Sequence, residues 1–291
     1  MGRLLVVPTP IGNLEDMTFR AVRALREVSL VLAEDTRRTR HLLTHFDSRA
    51  RMLAYHQHNK RARVAQALDA LVLGDVALVS SAGTPSISDP GFELIQAAVE
   101  AGIDVDVLPG ASAVITAYVG AALPSPGFAF LGFLPRRRSD RRRKLHDWKT
   151  SPYALVLYEA PHRIEPALED ICAELGTRPM VAARELTKVH QEYIRGTTAE
   201  LLELFRITEP RGEFTLVIAG SETRAADSVE EARRDIARRR ARGERSKEAV
   251  ATVASNYDMP RNTVYSMWIE TSQMETGTDP TPVEESDGII Q

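Results

Sequence analysis

Between Leu4 and Leu108 short apolar runs alternate with longer amphipathic ones, and that alternation points to strands and helices layered as an α/β domain. The runs Leu4–Val7, Leu30–Ala33, Met52–Tyr55, Val76–Ser80 and Val105–Leu108 read as strands. Helices fall between them: Met17–Val28, with Asp16 as its cap; Arg37–Phe46, started by Asp35 or Thr36; Lys60–Leu73; and Phe92–Ala101. The stretch Ala111–Leu123 is apolar almost all round, which predicts a buried helix at the join to whatever follows. Pro124, Pro126 and Gly127 then break the chain, placing a boundary near residue 124.

A different rhythm follows. Phe128–Phe133, Tyr153–Tyr158, Met180–Leu186, Val189–Arg195 and Phe214–Ala219 read as strands, with helices at Arg163–Glu174 and Thr198–Leu204, so a mixed sheet with helices on one side is expected. Beyond it come a basic helix, Val229–Arg242, and a helical pair, Ser246–Asn256 and Pro260–Glu270. The division expected is therefore 1–123, 124–222, a small helical extension 228–270, and a disordered acidic tail 271–291.

Most of the polar residues with chemical potential cluster at strand ends. The longest cluster, Leu78–Gly91 (LVSSAGTPSISDPG), ends an apolar run in small residues, two prolines and two glycines. Gly83 and Gly91 permit backbone conformations closed to other residues, so a small ligand could lie against this main chain. The alternative is an ordinary strand-to-helix turn with Ser88 or Asp89 at the cap of the next helix. In a parallel sheet the strand C-termini share one edge. The loops PTPIGN, AEDTRRT, YHQHN, SSAGTPSISDPG and PGASA should then converge on a single crevice. Glu34 and Asp35 are either acid/base carboxylates or a favourable helix start. His56 and His58 could hold a metal, but no third ligand is nearby, so no metal is expected.

Charge is segregated on a chain of net charge −3. Pro135–Lys144 carries seven basic residues against Asp140 alone, whereas six acids and no base follow Arg261. The basic run, bracketed by Phe133 and Trp148, is a solvated linker or a contact for nucleic acid. With a single cysteine, Cys172, the chain cannot form an internal disulfide. No apolar span reaches the ~18 residues that a membrane helix needs, so a cytoplasmic location is expected.

The fingerprints of dinucleotide, P-loop, zincin and α/β-hydrolase sites are absent. In their place PTPIGNLED, AEDTR, YHxHN, SxAGTPxISDPG, PGASA, GFLPR, YEAPHR and ARELTK occur in that order between Leu4 and Gly220. This series resembles the ribosomal RNA small subunit methyltransferase I family, S-adenosylmethionine-dependent cytidine 2′-O-methyltransferases similar to the tetrapyrrole methylases. The resemblance implies an α/β fold of two domains, an N-terminal parallel sheet and a C-terminal mixed sheet, with the cofactor in the cleft between them. It also implies a homodimer acting on small-subunit ribosomal RNA, assembled or nearly so.

By motif matching, Pro8, Ala82, Gly83, Thr84, Ser112, Ala113, Glu159 and Ala183 surround the S-adenosylmethionine. Glu185 and Lys188 are expected as the catalytic pair, with Glu159 and His162 as further candidates. Alternatively, ARELTK is an internal ion-pair strand. RNA phosphates are expected on Arg136, Arg137, Arg138, Arg141, Arg142, Arg143 and Lys144, and on Arg163 and Arg184. In one place the chain departs from the family, which has aspartate where Ser81 stands. The alternatives are a small-molecule methylase, which would not need the basic run, and a non-catalytic RNA-binding assembly factor, which the departure at Ser81 would support.

Overall fold

The computed structural model describes residues 2–56, 59–221 and 225–275. His58 and residues 276–291 lie outside that set, and with them the histidine pair and most of the expected tail. Residues 2–221 fall in one compact unit that holds both sheets, and residues 225–275 fall in a second.

The first sheet contains β1 (Leu4–Val7), β2 (Leu30–Ala33), β3 (Arg51–Ala54), β4 (Val76–Val79) and β5 (Val105–Val107), all parallel, in the order β3-β2-β4-β1-β5. β1 and β4 are buried on both faces, as helix-covered parallel strands must be. On one face α1 (Phe19–Glu27) and α2 (Thr36–His45) pack Leu25, Leu42 and Leu43 against Leu5, Val7, Val31 and Val79. On the other, α3 (Lys60–Leu73) and α4 (Phe92–Glu100) pack Leu71 and Leu94 against Leu4, Leu32 and Leu78. Fully buried leucines of this kind contribute about 1.5–3 kcal/mol each.

Helix starts follow short-range hydrogen bonding. The side chain of Asp35 accepts from the Arg37 and Arg38 amides and caps α2. α1 is capped by Thr18 instead of Asp16, because Asp16 ends a short 3-10 turn, Leu14–Asp16, that Asn13 caps. α4 follows Gly91 without a side-chain cap, and Asp89, expected as one possible cap, faces a cavity instead.

The second sheet orders β6 (Phe128–Phe133), β7 (Ala154–Glu159), β8 (Pro179–Arg184), β9 (Glu192–Thr197) and β10 (Phe214–Ile218) as β6-β7-β10-β8-β9, with β6 and β7 parallel and the rest antiparallel. One face carries α6 (Arg138–His146), α7 (Ile164–Leu175) and α8 (Thr198–Ile207). The opposite face is covered by α5 (Ala113–Ala121), which sets Val114, Ala117 and Ala121 against Val156, Val181 and Val217. This is the buried join that the sequence predicts, but only on one side, since Ile115 and Val119 are exposed. Gly120 is required there: a Cβ on it would lie 2.4 Å from the Tyr193 ring.

The basic run is not a linker. Its residues form most of α6, whose inward positions four apart are Arg141 and Leu145. In the second unit α9 (Ala225–Ala241), α10 (Ser246–Asn256) and α11 (Arg261–Glu275) enclose their own core of Ile236, Val250, Val253, Val264 and Met267. α11 continues five residues past Glu270, into the stretch expected to be disordered. Among the described residues no helix is long and apolar enough to cross a membrane, and no cluster of three or more His, Cys, Asp or Glu could hold a metal ion.

Candidate active site

The C-terminal ends of β1, β4 and β5 face the second sheet across a cavity of about 320 Å³, within the range of small-molecule sites. The first sheet contributes Ile11, the loop from Ser81 to Asp89, and Ser112 with Ala113. The second contributes Phe133, Tyr158–Pro161, Ala183, Leu186 and Glu213–Thr215. Three of the five strand-end loops therefore line it. The β2 loop reaches it through Glu34, which binds Ser81, while the loop after β3 supplies no lining among the described residues.

The central loop is fixed to its neighbours by main-chain bonds. Gly83 exchanges hydrogen bonds with Thr9 at 2.9 Å each way, and the Thr84 hydroxyl donates to the Ala111 carbonyl at 3.2 Å. Gly83 is held at φ +77°, where a side chain is strained, although a Cβ there would meet nothing nearer than 3.4 Å. The need for glycine is thus conformational rather than steric. Of the expected cofactor residues, Ala82, Gly83, Thr84, Ser112, Ala113, Glu159 and Ala183 all line the cavity. Pro8 does not; its ring sits so close to Gly110 that a Cβ there would lie 2.6 Å from it, and it shapes the loop from behind.

Three carboxylates, Asp89, Glu159 and Glu213, stand among the hydroxyls of the polar lining. Glu159 is buried, and its Oε1 takes the Ala160 amide at 2.9 Å and lies 3.3 Å from the Arg163 Nε, while its Oε2 has no hydrogen-bond partner. Burial is the main cause that holds its pKa above the ordinary glutamate value, against the pull of the Ala160 amide and Arg163. Asp89 is pushed up to about 7, first by burial and then by the charge of Glu34. Tyr158 is pushed up to about 12 by burial and by Asp89, which keeps its phenol protonated. Glu34 Oε2 accepts from both the hydroxyl (2.6 Å) and the amide (3.2 Å) of Ser81. A carboxylate therefore stands one residue's reach from the position where the family places its aspartate.

Other expected site residues lie outside the cavity wall. Glu185, Lys188 and His162 are not among the lining residues. Lys188 Nζ lies 2.9 Å from Glu185 and 3.0 Å from Glu213, bracing the turn before β10. The hydrogen bond from Lys188 lowers the Glu185 pKa, leaving it a poor base. Partial burial opposes the charge on Lys188, yet the two carboxylates outweigh it and raise its pKa. The arrangement is the internal ion pair that stood as the alternative.

The basic set divides in the same way. Arg141 is buried and bonds to the fully buried Asp170 at 2.6 Å, so it is unavailable to a phosphate, and Arg138 meets the same carboxylate at 3.0 Å. Arg142 pairs with Glu174, Arg143 with Asp140, and Lys144 donates to the Leu131 carbonyl. Arg163 is spent on Glu159 and the Leu134 carbonyl, and Arg184 on Glu192 and the Arg211 carbonyl. Arg136 and Arg137 are exposed and make no ion pair among the described residues. The raised pKa of Asp89 and the place of Tyr158 in the cavity wall escaped the sequence reading. Their signal was the loop and strand-end position, shared by many residues without a role.

Residues 3–202 match the family model "Tetrapyrrole (Corrin/Porphyrin) Methylases". The chain is 41% identical over 277 residues to ribosomal RNA small subunit methyltransferase I of Halalkalibacterium halodurans, covering 92% of this chain and 94% of that protein. It is 39% identical over 272 residues to the protein of the same name from Bacillus subtilis, covering 91% and 93%. Among solved structures, uroporphyrin-III C-methyltransferase from Thermus thermophilus, complexed with S-adenosylhomocysteine, superposes with a TM-score of 0.51 at 18% identity, covering 74% of this chain and 97% of that one. The methyltransferase CobJ superposes with a TM-score of 0.57 at 18% identity, covering 76% and 95%. With its loops, its cavity and these likenesses taken together, the chain belongs to the ribosomal RNA small subunit methyltransferase I family of the tetrapyrrole methylases.

Proposed function

We propose that the cavity between the sheets holds S-adenosylmethionine and that the protein methylates the ribose 2′-hydroxyl of a cytidine in the decoding region of small-subunit ribosomal RNA. The observation that carries this reading is the buried carboxylate of Glu159, with a partnerless Oε2, in a cavity that Asp89 also lines. A cavity walled by carboxylates suits a cation, and the cofactor is one. When bound, it supplies a methyl group already activated on a sulfonium, which departs as a neutral thioether.

The protein's own tasks are to hold the donor, orient the hydroxyl and accept its proton. Ala82, Gly83, Thr84, Ser112 and Ala113 offer a close-packed main-chain wall for the donor. Asp89 and, through Ser81, Glu34 set the negative potential that the absent family aspartate would give. Glu159 is the proton acceptor in this reading, because its raised pKa brings it nearer neutrality than the salt-bridged Glu185. Exposed Ile115 and Val119 on α5 support a homodimer, and an assembled or nearly assembled subunit in the cytoplasm is the substrate inferred. Calorimetry with S-adenosylmethionine, followed by mapping of ribose methylation on small-subunit RNA, tests the assignment. One donor bound per chain and one new 2′-O-methylcytidine are expected. The same donor affinity in Glu34→Gln would refute the role given to Glu34, and absence of any ribose methylation would refute the activity.

A further inference from the structure

A second, shallower groove adjoins the cavity, with Ser81 in the wall of both. It is lined by Thr9, Pro10 and Leu14 from the β1 loop, by Arg38, His41 and Leu42 from α2, and by Ser80 with Ser81 from the end of β4. Arg38, His41 and Leu42 fall on one face of α2, at i, i+3 and i+4. The first-turn amides of α2 are already capped by Asp35, so the helix terminus itself offers no anion site. What the groove offers is side-chain charge. Arg38 is exposed and makes no ion pair among the described residues, on a chain whose net charge is −3. Pro10, Leu14 and Leu42 supply an apolar wall beside it.

A cation at the rim of an apolar wall fits a nucleotide, with its phosphate outside and a ribose or base face within. A ribose hydroxyl must come to about 3–3.5 Å from the methyl donor, so the acceptor has to enter from a groove that borders the donor's cavity. This groove meets that condition at Ser81. Resting on the function proposed above, we infer that the groove beside Ser81 receives the acceptor strand, with Arg38 and His41 holding the phosphate next to the ribose that is methylated.

The test uses the full chain with unmethylated small ribosomal subunits as substrate. Arg38→Ala should raise the KM for the subunit about tenfold, the loss expected for one charge-assisted contact. It should also flatten the dependence of log affinity on log salt by about 0.7, the value for one phosphate on single-stranded RNA. Donor affinity by calorimetry and melting temperature should not change. Arg38→Lys, which keeps the charge and loses the fork, should fall between wild type and Arg38→Ala, and His41→Ala should weaken subunit binding in the same direction. If Arg38→Ala and His41→Ala both keep the wild-type KM and salt slope while the wild type methylates the subunit, the groove assignment is wrong and the functional reading stands. A wild-type protein that binds the donor but transfers no methyl group to the subunit overturns the functional reading, and the groove assignment with it.

Discussion

Asp89 is the residue whose environment departs furthest from what its place in a polar loop suggests. Half-buried beside Glu34, it is pushed up to about 7, against 3.8 for an ordinary aspartate. Folding therefore favours its protonated form, so the stability it contributes is complete below about pH 4 and is lost as pH rises toward 7. Wild-type unfolding free energy, and with it the melting temperature, should fall across that window relative to Asp89→Asn, the free energy by at most about 1.4 kcal/mol per pH unit, the limit for one proton. Binding of a cationic donor should run the other way and tighten as pH passes through 7, because the ionised carboxylate is the form that attracts it. Thermal melts and calorimetry at pH 6 and pH 8 would check both signs. A donor affinity as pH-dependent in Asp89→Asn as in wild type would show that another group titrates. The loop around Asp89 was visible in the sequence as small residues, prolines and glycines. The titration was not, since it arises first from burial in the folded chain and then from the charge of Glu34, 55 positions away.

Among the elements, α6 shows where sequence reading fails. With Leu145 as its one large apolar residue, Arg138–His146 gives no periodic signal, and its run of arginines resembles a linker or an RNA grip. Packing assigns the charges differently. Arg141 is turned inward to Asp170, and removing one partner of a buried pair costs about 3–5 kcal/mol because the other charge is left uncompensated. Arg141→Ala should accordingly lower the melting temperature sharply. Arg136→Ala with Arg137→Ala should leave stability alone and flatten the salt dependence of RNA binding by about 1.4. Denaturant unfolding and anisotropy titrations separate the two cases; equal stability of Arg141→Ala and wild type would deny the buried pair its weight. The strands, by contrast, were legible to within a residue or two except β9, expected from Val189 but starting at Glu192, because short apolar runs bounded by turn residues have few alternative uses. Lys60–Leu73 and Ser246–Asn256 are the helices expected, end for end.

At the scale of the whole molecule, every residue lining the cavity lies between Ile11 and Thr215, and the core of α9, α10 and α11 is closed within residues 232–267. A chain ending at Ser221 should fold and bind S-adenosylmethionine as the full chain does, by circular dichroism and calorimetry. Loss of donor binding on that truncation would mean that the second unit completes the site. Between the sheets, the deciding element is α5. It begins at Ser112 in the cavity wall, lays its small residues along the second sheet, and ends with its last carbonyls, Gly120 and Ala121, taken by Arg195 of β9 at 2.6 and 2.5 Å. Tyr193 fills the space that Gly120 leaves and donates to the Thr116 carbonyl. A helix riveted along its length to the sheet opposite cannot serve as a pivot. Any change in the width of the cleft must therefore arise in the segment before Ser112, where the chain leaves the first sheet, and not within α5.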